Sequence, residues 1–270
     1  MRVPFIKMHG LGNDFVVLDS RVERLPEVTR SFAAALADRR TGIGCDQLIV
    51  LERSTLADLR MRIFNADGGE VEACGNATRA VGLLHDGPVR IETLGGMLET
   101  ARADGGIAVD MGEPRFAWDQ IPLAYALDTT ALPVGWDELE NPAAVNVGNP
   151  HAVFFVSDCD AIDLERLGPQ IEHDPLFPER VNVNVATIES RDRIRLRVWE
   201  RGVGETRACG TGACATAIAA MRRGLVEREA RVVLRGGPLT IAWRDDNRIV
   251  MTGAAAESFR GSFDSVEYAA

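Results

Sequence analysis

The chain has 270 residues and is 46% hydrophobic, which is enough to bury sizeable cores in one domain or two. Its formal net charge is −10 and no Lys/Arg cluster forms a basic stripe, which argues against nucleic-acid binding through phosphate neutralisation. No apolar run approaches the length that spans a bilayer, and the opening MRVPFIKMHGLGND lacks the apolar core of a secretion signal. The expectation is a cytoplasmic protein with no membrane partner.

Taken in order, the first half predicts strands over 3–8, 15–19, 47–53, 59–64, 89–93 and 106–111. A helix is predicted over 27–40, stopping at Thr41-Gly42, and another from just after Cys74 to Gly87-Pro88. The stretch 117–142, rich in Pro, Asp and Ala, is expected to contain the domain linker. The second half predicts strands over 152–156, 181–188, 193–200, 231–234, 239–244 and 248–252. Helices are predicted over 163–172 and from just after Cys209 to Gly224. The second of these is small and apolar on every face over 213–221, so it belongs inside a domain rather than on a surface. Strands outnumber helices, which argues for an α+β fold over a doubly wound sheet, each domain wrapping a sheet around a central helix.

The two halves are related. MRIFNADGGEVEACGNATRA at 61–80 aligns without a gap on LRVWERGVGETRACGTGACA at 196–215, an offset of 135. Arg62 falls on Arg197, Gly69 on Gly204, Glu70 on Glu205 and Cys74-Gly75 on Cys209-Gly210. Gly12-Asn13 before an apolar run matches Gly148-Asn149 at offset 136, and 90–112 matches 231–253 at offset 141. A period this long means two pseudo-symmetric domains, not a solenoid. They are expected at 1–117 and 118–255, with the tail 256–270 packed back on the first.

Five cysteines, an odd count in a long chain, read as free thiols. Zinc fails on spacing: Cys209 and Cys214 are five apart, C-x-x-C is absent, and the four histidines lack an H-x-x-x-H. The G-x-G at Gly42-Ile43-Gly44 lacks a third glycine, and no phosphate loop occurs. No metal and no cofactor is expected. Cys45, Cys159 and Cys214 read as packing residues.

Cys74 and Cys209 differ, because each stands before a helix in the same E-x-x-A-C-G context. A helix N-terminus favours thiolate, and its N–H groups hold a carboxylate. Gly75 and Gly210 let a ligand approach the backbone. Two such cysteines acting from opposite sides, one as thiolate and one as thiol, would remove a proton from a carbon and return one to the other face. That is racemisation or epimerisation. A dithiol redox couple is the rival reading, disfavoured by the missing C-x-x-C.

KMHGLGNDFVVLD, GIGCDQ, FNADGGEVEACGN, GNPHAV, FPERVNVNVA and WERGVGETRACGTGACA occur in this order. Together they resemble the diaminopimelate epimerase family along the whole chain. The resemblance implies an isomerase, independent of pyridoxal phosphate, that converts LL- to meso-diaminopimelate in lysine and peptidoglycan precursor synthesis. It implies Cys74 and Cys209 as the catalytic bases and His151 and Glu200 as groups that modulate their ionisation. Substrate contacts are implied for Asn13, Gln47, Asn65, Gly75, Asn76, Asn149, Asn182, Glu200, Arg201, Gly210 and Thr211. The chemistry suits a diamino diacid: the helix N-termini take the reacting carboxylate, Arg201 the distal one, and Glu200 with an Asn carbonyl the distal ammonium. Departures are Gly69 where many members have Ser, NATRA in place of NGARC, and a tail that matches only loosely. Phe259 falls near an aromatic associated with a homodimer contact. The rivals are another two-cysteine racemase of the same fold, acting on proline, hydroxyproline or histidine, and a non-catalytic binding homologue.

Overall fold

Phe15, Val16, Val17 and Leu18 are consecutive and all buried, as are Leu48 to Leu51. Strands normally alternate, so runs like these mean a sheet covered on both faces. In the computed structural model, which describes residues 1–72 and 74–268, helices supply both covers. Toward one face, Val17, Ile49, Leu51, Met61 and Ile63 pack on Ala77, Ala80 and Val81. Toward the other, Val16, Leu18, Leu48 and Val50 pack on Phe32 and Leu36. Phe32 and Leu36 belong to helix α1 (Arg30–Ala37), and the alanines and Val81 to α2 (Gly75–Leu83).

These elements form one compact unit, which runs to Val109 and resumes at Gly253. Its strand Asn13–Asp19 is antiparallel to Arg2–Gly10 and parallel to Gln47–Glu52, with Val17 opposite Ile49. Leu59–Asn65 is antiparallel to Gln47–Glu52 and parallel to Val89–Thr93, with Leu59 opposite Ile91. The C-terminal strand Ala256–Asp264 pairs antiparallel with Arg2–Gly10, Phe5 facing Gly261. A Cβ at Gly261 would lie 2.6 Å from the Phe5 ring, so only glycine lets the two strands close here.

The other unit spans Asp110–Thr252 and repeats the pairing pattern. Pro150–Phe155 is antiparallel to Ala143–Asn146 and parallel to Asn182–Ser190. Arg193–Glu200 is antiparallel to Asn182–Ser190 and parallel to Glu229–Leu234, with Ile194 opposite Val232. Helix α3 (Leu164–Glu172) covers one face through Leu164, Leu167 and Ile171. Helix α4 (Gly210–Arg222) packs on the strands from the inside, with Ala213 to Ala220 buried. The fold is therefore α+β and duplicated.

Three expectations need correction. α1 spans Arg30–Ala37 rather than 27–40. Thr29 caps it by accepting the Phe32 N–H at 3.2 Å, and the TGIGC turn folds back so that the Gly44 and Cys45 N–H groups take the Leu36 and Ala37 carbonyls. α2 stops at Leu83, short of Gly87, in a turn closed by Leu84 and His85 N–H bonds to Val81 and Gly82. The stretch 117–142 is no linker: Ile121, Leu123, Leu132 and Leu139 are buried in the core of the Asp110–Thr252 unit. The second compact unit begins at Asp110 and ends at Thr252. Residues from Asp110 onward are tied into the second unit by Met111 N–H to Ile249 O, Ile249 N–H to Gly112 O, and reciprocal Arg115–Asn146 backbone bonds.

α4 ends as its sequence suggests. Gly224 has φ +68°, its N–H bonds to Met221 O, and the next N–H, of Leu225, reaches Ala220 O. That is the Schellman arrangement, which glycine permits without strain.

Candidate active site

Each cysteine is delivered by a hairpin. Leu59–Asn65 pairs with Glu70–Val71, and Arg193–Glu200 with Gly204–Thr206. The residues shared by the repeat hold these hairpins shut. Arg62 donates to both oxygens of Glu70 at 2.7 and 2.9 Å, and Arg197 to both of Glu205 at 2.8 and 3.0 Å. Such fork-to-fork pairs fix geometry as well as charge. The chain then enters the helix through a cysteine in extended conformation, φ −147° and ψ 111° at Cys74, φ −126° and ψ 111° at Cys209. Both thiols thus stand at the N-cap, beside N–H groups that no carbonyl of the helix can take.

In the first unit Cys74 is half-buried, and its Sγ lies 3.8 Å from Asn13 Oδ1. The same oxygen accepts Asn76 Nδ2 at 3.1 Å, and Asn76 Oδ1 accepts the buried Arg79 guanidinium at 2.8 Å. Asn13 Nδ2 is anchored on Asp46 at 3.1 Å. Asp46 and Asp14 accept each other's backbone N–H groups, and Arg39 bridges both carboxylates. Burial pushes the Asp14 carboxyl up, but Arg39 and Lys7 outweigh it and hold the group well below the usual carboxylate range. Gln47 Nε2 donates to Asn65 Oδ1 at 2.9 Å. Cys74, Asn13 and Asn76 therefore come together, as do Gln47 and Asn65, while Gly75 opens α2.

In the second unit Cys209 is 4% exposed. Its sulfur accepts the Gly212 N–H at 3.3 Å and lies 3.5 Å from Thr211 Oγ1. The helix-start argument predicts a lowered thiol pKa, but here it is pushed well above the ordinary value, by burial first and by the Glu200 carboxylate second. The Thr206 hydroxyl donates to Glu200 Oε1 at 2.5 Å, and the Glu200 carboxylate acts electrostatically on the Cys209 thiol. Enclosure by protein raises the Glu200 pKa as well. A neutral thiol beside a carboxyl group is the resting arrangement.

Asn182 Oδ1 accepts the Arg201 N–H at 3.0 Å and its Nδ2 donates to Pro150 O at 2.9 Å. The Arg201 guanidinium lies at the surface and donates to Glu179 O at 2.8 Å. His151 is fully buried and its ring contacts Asn149 Oδ1 at 2.8 Å and Asn184 Nδ2 at 3.1 Å. Burial lowers its pKa to about 3, so the ring is neutral. Gly210 opens α4, as Gly75 opens α2.

Sequence reasoning missed Asp46, Thr206, Asn184 and Glu172. Asn184 was legible, because it lies two residues from Asn182 and a strand places both on one face. Glu172 was not: it closes α3, yet accepts Trp199 Nε1 at 2.7 Å and the Gly202 N–H at 2.9 Å, bracketing Glu200 and Arg201. Cys45, Cys159 and Cys214 are buried, and burial pushes the Cys45 thiol up to about 11. Among the described residues, the group with metal-type side chains in reach of one another is Asp158, Cys159 and Asp160, and Arg195 is already ion-paired with both of its carboxylates.

Two similarities of fold define the class. A Bacillus anthracis phenazine biosynthesis protein of the PhzF family superposes with a TM-score of 0.71 at 16% identity, covering 97% of this chain and 99% of that one. A hydroxyproline epimerase from Agrobacterium vitis, with bound trans-4-hydroxy-L-proline, gives 0.66 at 15%, covering 97% and 91%. The architecture is that of this two-unit α+β class. Sequence is more specific. The diaminopimelate epimerase of Erythrobacter litoralis is 67% identical over 99% of this chain and 100% of its own length, and that of Rhizorhabdus wittichii 65% over 98% and 96%. The family model for diaminopimelate epimerase matches residues 5–117 and 143–257. The chain belongs to the diaminopimelate epimerase family.

Proposed function

We propose that this protein is an isomerase that converts LL-2,6-diaminopimelate to meso-diaminopimelate without pyridoxal phosphate, supplying lysine and peptidoglycan precursors. Family membership supports the reaction, and one structural observation supports the mechanism: Cys74 and Cys209 hold equivalent N-cap positions at α2 and α4. One sulfur, as thiolate, takes the α-proton, and the other, as thiol, gives its proton to the opposite face of that carbon. The enzyme ends the turnover with thiol and thiolate exchanged, and no other atom is consumed. Glu200, whose carboxylate acts on the Cys209 thiol, is the group that relieves or restores its proton between turnovers. The backbone N–H groups at Gly75-Asn76 and Gly210-Thr211 take the reacting carboxylate and the charge that builds on it. Asn13, Gln47, Asn65, Asn149, Asn182 and Arg201 form the remaining contacts, Arg201 with the distal carboxylate.

A proline or hydroxyproline racemase is the second reading. The hydroxyproline epimerase match favours it only at the level of fold, and Arg201 with Glu200 suits a substrate charged at its far end. Incubation in deuterium oxide separates the readings. Exchange at the α-carbon of LL- and meso-diaminopimelate, with no added cofactor and none on proline, is the expected result. Exchange on proline alone would overturn it. A cytoplasmic homodimer belongs to the same proposal. Phe259 is exposed, its ring edge-on to that of Phe5. Sedimentation at micromolar concentration gives the mass of a dimer if the proposal holds.

A further inference from the structure

Asn184 Nδ2 lies 3.1 Å from Ala152 O and 3.4 Å from Asn182 O, two backbone carbonyls. Turning the carboxamide over would set its oxygen against both, so the nitrogen is held on this side. That nitrogen is also 3.1 Å from His151 Nδ1. An amide nitrogen only donates, so Nδ1 must keep its lone pair. A neutral ring then carries its proton on Nε2, which is 2.8 Å from Asn149 Oδ1. Oδ1 of Asn149 is thus committed to His151, and its Nδ2, with no protein partner among the described residues, points its two N–H bonds elsewhere.

The orientation of Asn184 also leaves something undone. Its Oδ1 is buried without a hydrogen-bond partner among the described residues. It sits against the first turn of α4, where a Cβ on Gly212 would come within 2.8 Å of it. A buried orphan acceptor is rare and needs a reason. Here the reason is the other end of the same amide.

We propose that Asn184 is a positioning residue: through Ala152 O and Asn182 O it fixes His151 as the Nε2–H tautomer, and His151 in turn presents the Asn149 amide nitrogen as a donor to a carboxylate of the substrate. This rests on the reading of Asn149 as a substrate contact. A relay of this kind excludes an imidazolium at His151, because a proton on Nδ1 would face the Asn184 N–H. In this arrangement His151 acts on the substrate by orienting an amide.

The first test uses the wild-type enzyme labelled with ¹⁵N-histidine. Long-range ¹H–¹⁵N correlation should place a proton on His151 Nε2 with Nδ1 unprotonated, unchanged between pH 6 and 9. A proton on Nδ1, or fast exchange between tautomers, overturns the proposal. Asn184→Leu removes the donor while keeping the branched shape at a larger volume. His151 should then lose its single tautomer and KM for diaminopimelate should rise about tenfold, as for one lost hydrogen bond to a charged group, with kcat changed less. A lost tautomer with unchanged KM overturns the relay to Asn149. If Asn184→Leu does not fold, Asn184→Ser, smaller and polar, replaces it with the same expected outcome. Failure of the functional reading looks different: no deuterium enters diaminopimelate in the wild type, whatever the tautomer.

Discussion

Arg197 and Glu205 form a two-toothed ion pair at 2.8 and 3.0 Å, and Arg62 and Glu70 form its counterpart in the other unit. The repeat visible in the amino-acid sequence is thus a repeat of physical function: each pair closes the hairpin that carries a cysteine to its helix.

The two pairs differ in burial, so they should differ in cost. Side-chain exposures are 8% and 11% for Arg197–Glu205 but 26% and 27% for Arg62–Glu70. Arg197 also donates to Cys159 O and Ile162 O. Arg197→Met should cost about 3 kcal/mol, because it strands a buried carboxylate that keeps only Arg235. Arg62→Met should cost about 1 kcal/mol. Urea unfolding of both variants measures this, and equal losses would contradict the assignment.

Replacing either Cys74 or Cys209 by Ala should lower epimerisation by about 10²- to 10⁴-fold, the range for loss of a positioned acid or base, while the far-UV spectrum stays that of the wild type. Cys214→Ala, further along α4, should keep activity. Full activity in Cys74→Ala or Cys209→Ala would end the two-base mechanism.

Arg201 reaches solvent and Glu179 O in the present structure, leaving its guanidinium to be covered by the substrate. Arg201→Met should lower kcat/KM for diaminopimelate by about a hundredfold. Lysine, without the distal carboxylate, should be a very poor substrate of the wild type, because it would leave that guanidinium unpaired. Comparable rates on lysine would refute the substrate assignment.

His151 makes stability depend on pH in a stated direction. Its folded pKa is depressed from 6.5 to about 3 by burial, so the unfolded chain binds the extra proton first. The stabilisation is complete above pH 6.5 and is lost as pH falls toward 3, by about 1.4 kcal/mol per unit. Thermal melts between pH 6.5 and 5, above most carboxylate titrations, should show this slope, and His151→Gln should flatten it.

The sequence alone determined the duplication, the strands Val89–Thr93 and Arg193–Glu200 at their observed bounds, and the two cysteine-bearing helix starts. These are local properties: period, turn residues and a repeated motif are written in consecutive residues. What it misjudged depends on partners far along the chain. The length of α1 was decided by the TGIGC turn folding over its end, and the role of 117–142 by four apolar side chains finding a core. Only the tertiary structure could reverse the expected thiol pKa. The helix start at Cys209 is local, but the burial and the Glu200 carboxylate that outweigh it arrive from other strands. The same holds for Glu172 and Asp46, whose significance lies in which atoms they meet. A hydrogen bond between distant residues leaves no period in the chain, because its geometry exists only after the sheet has formed.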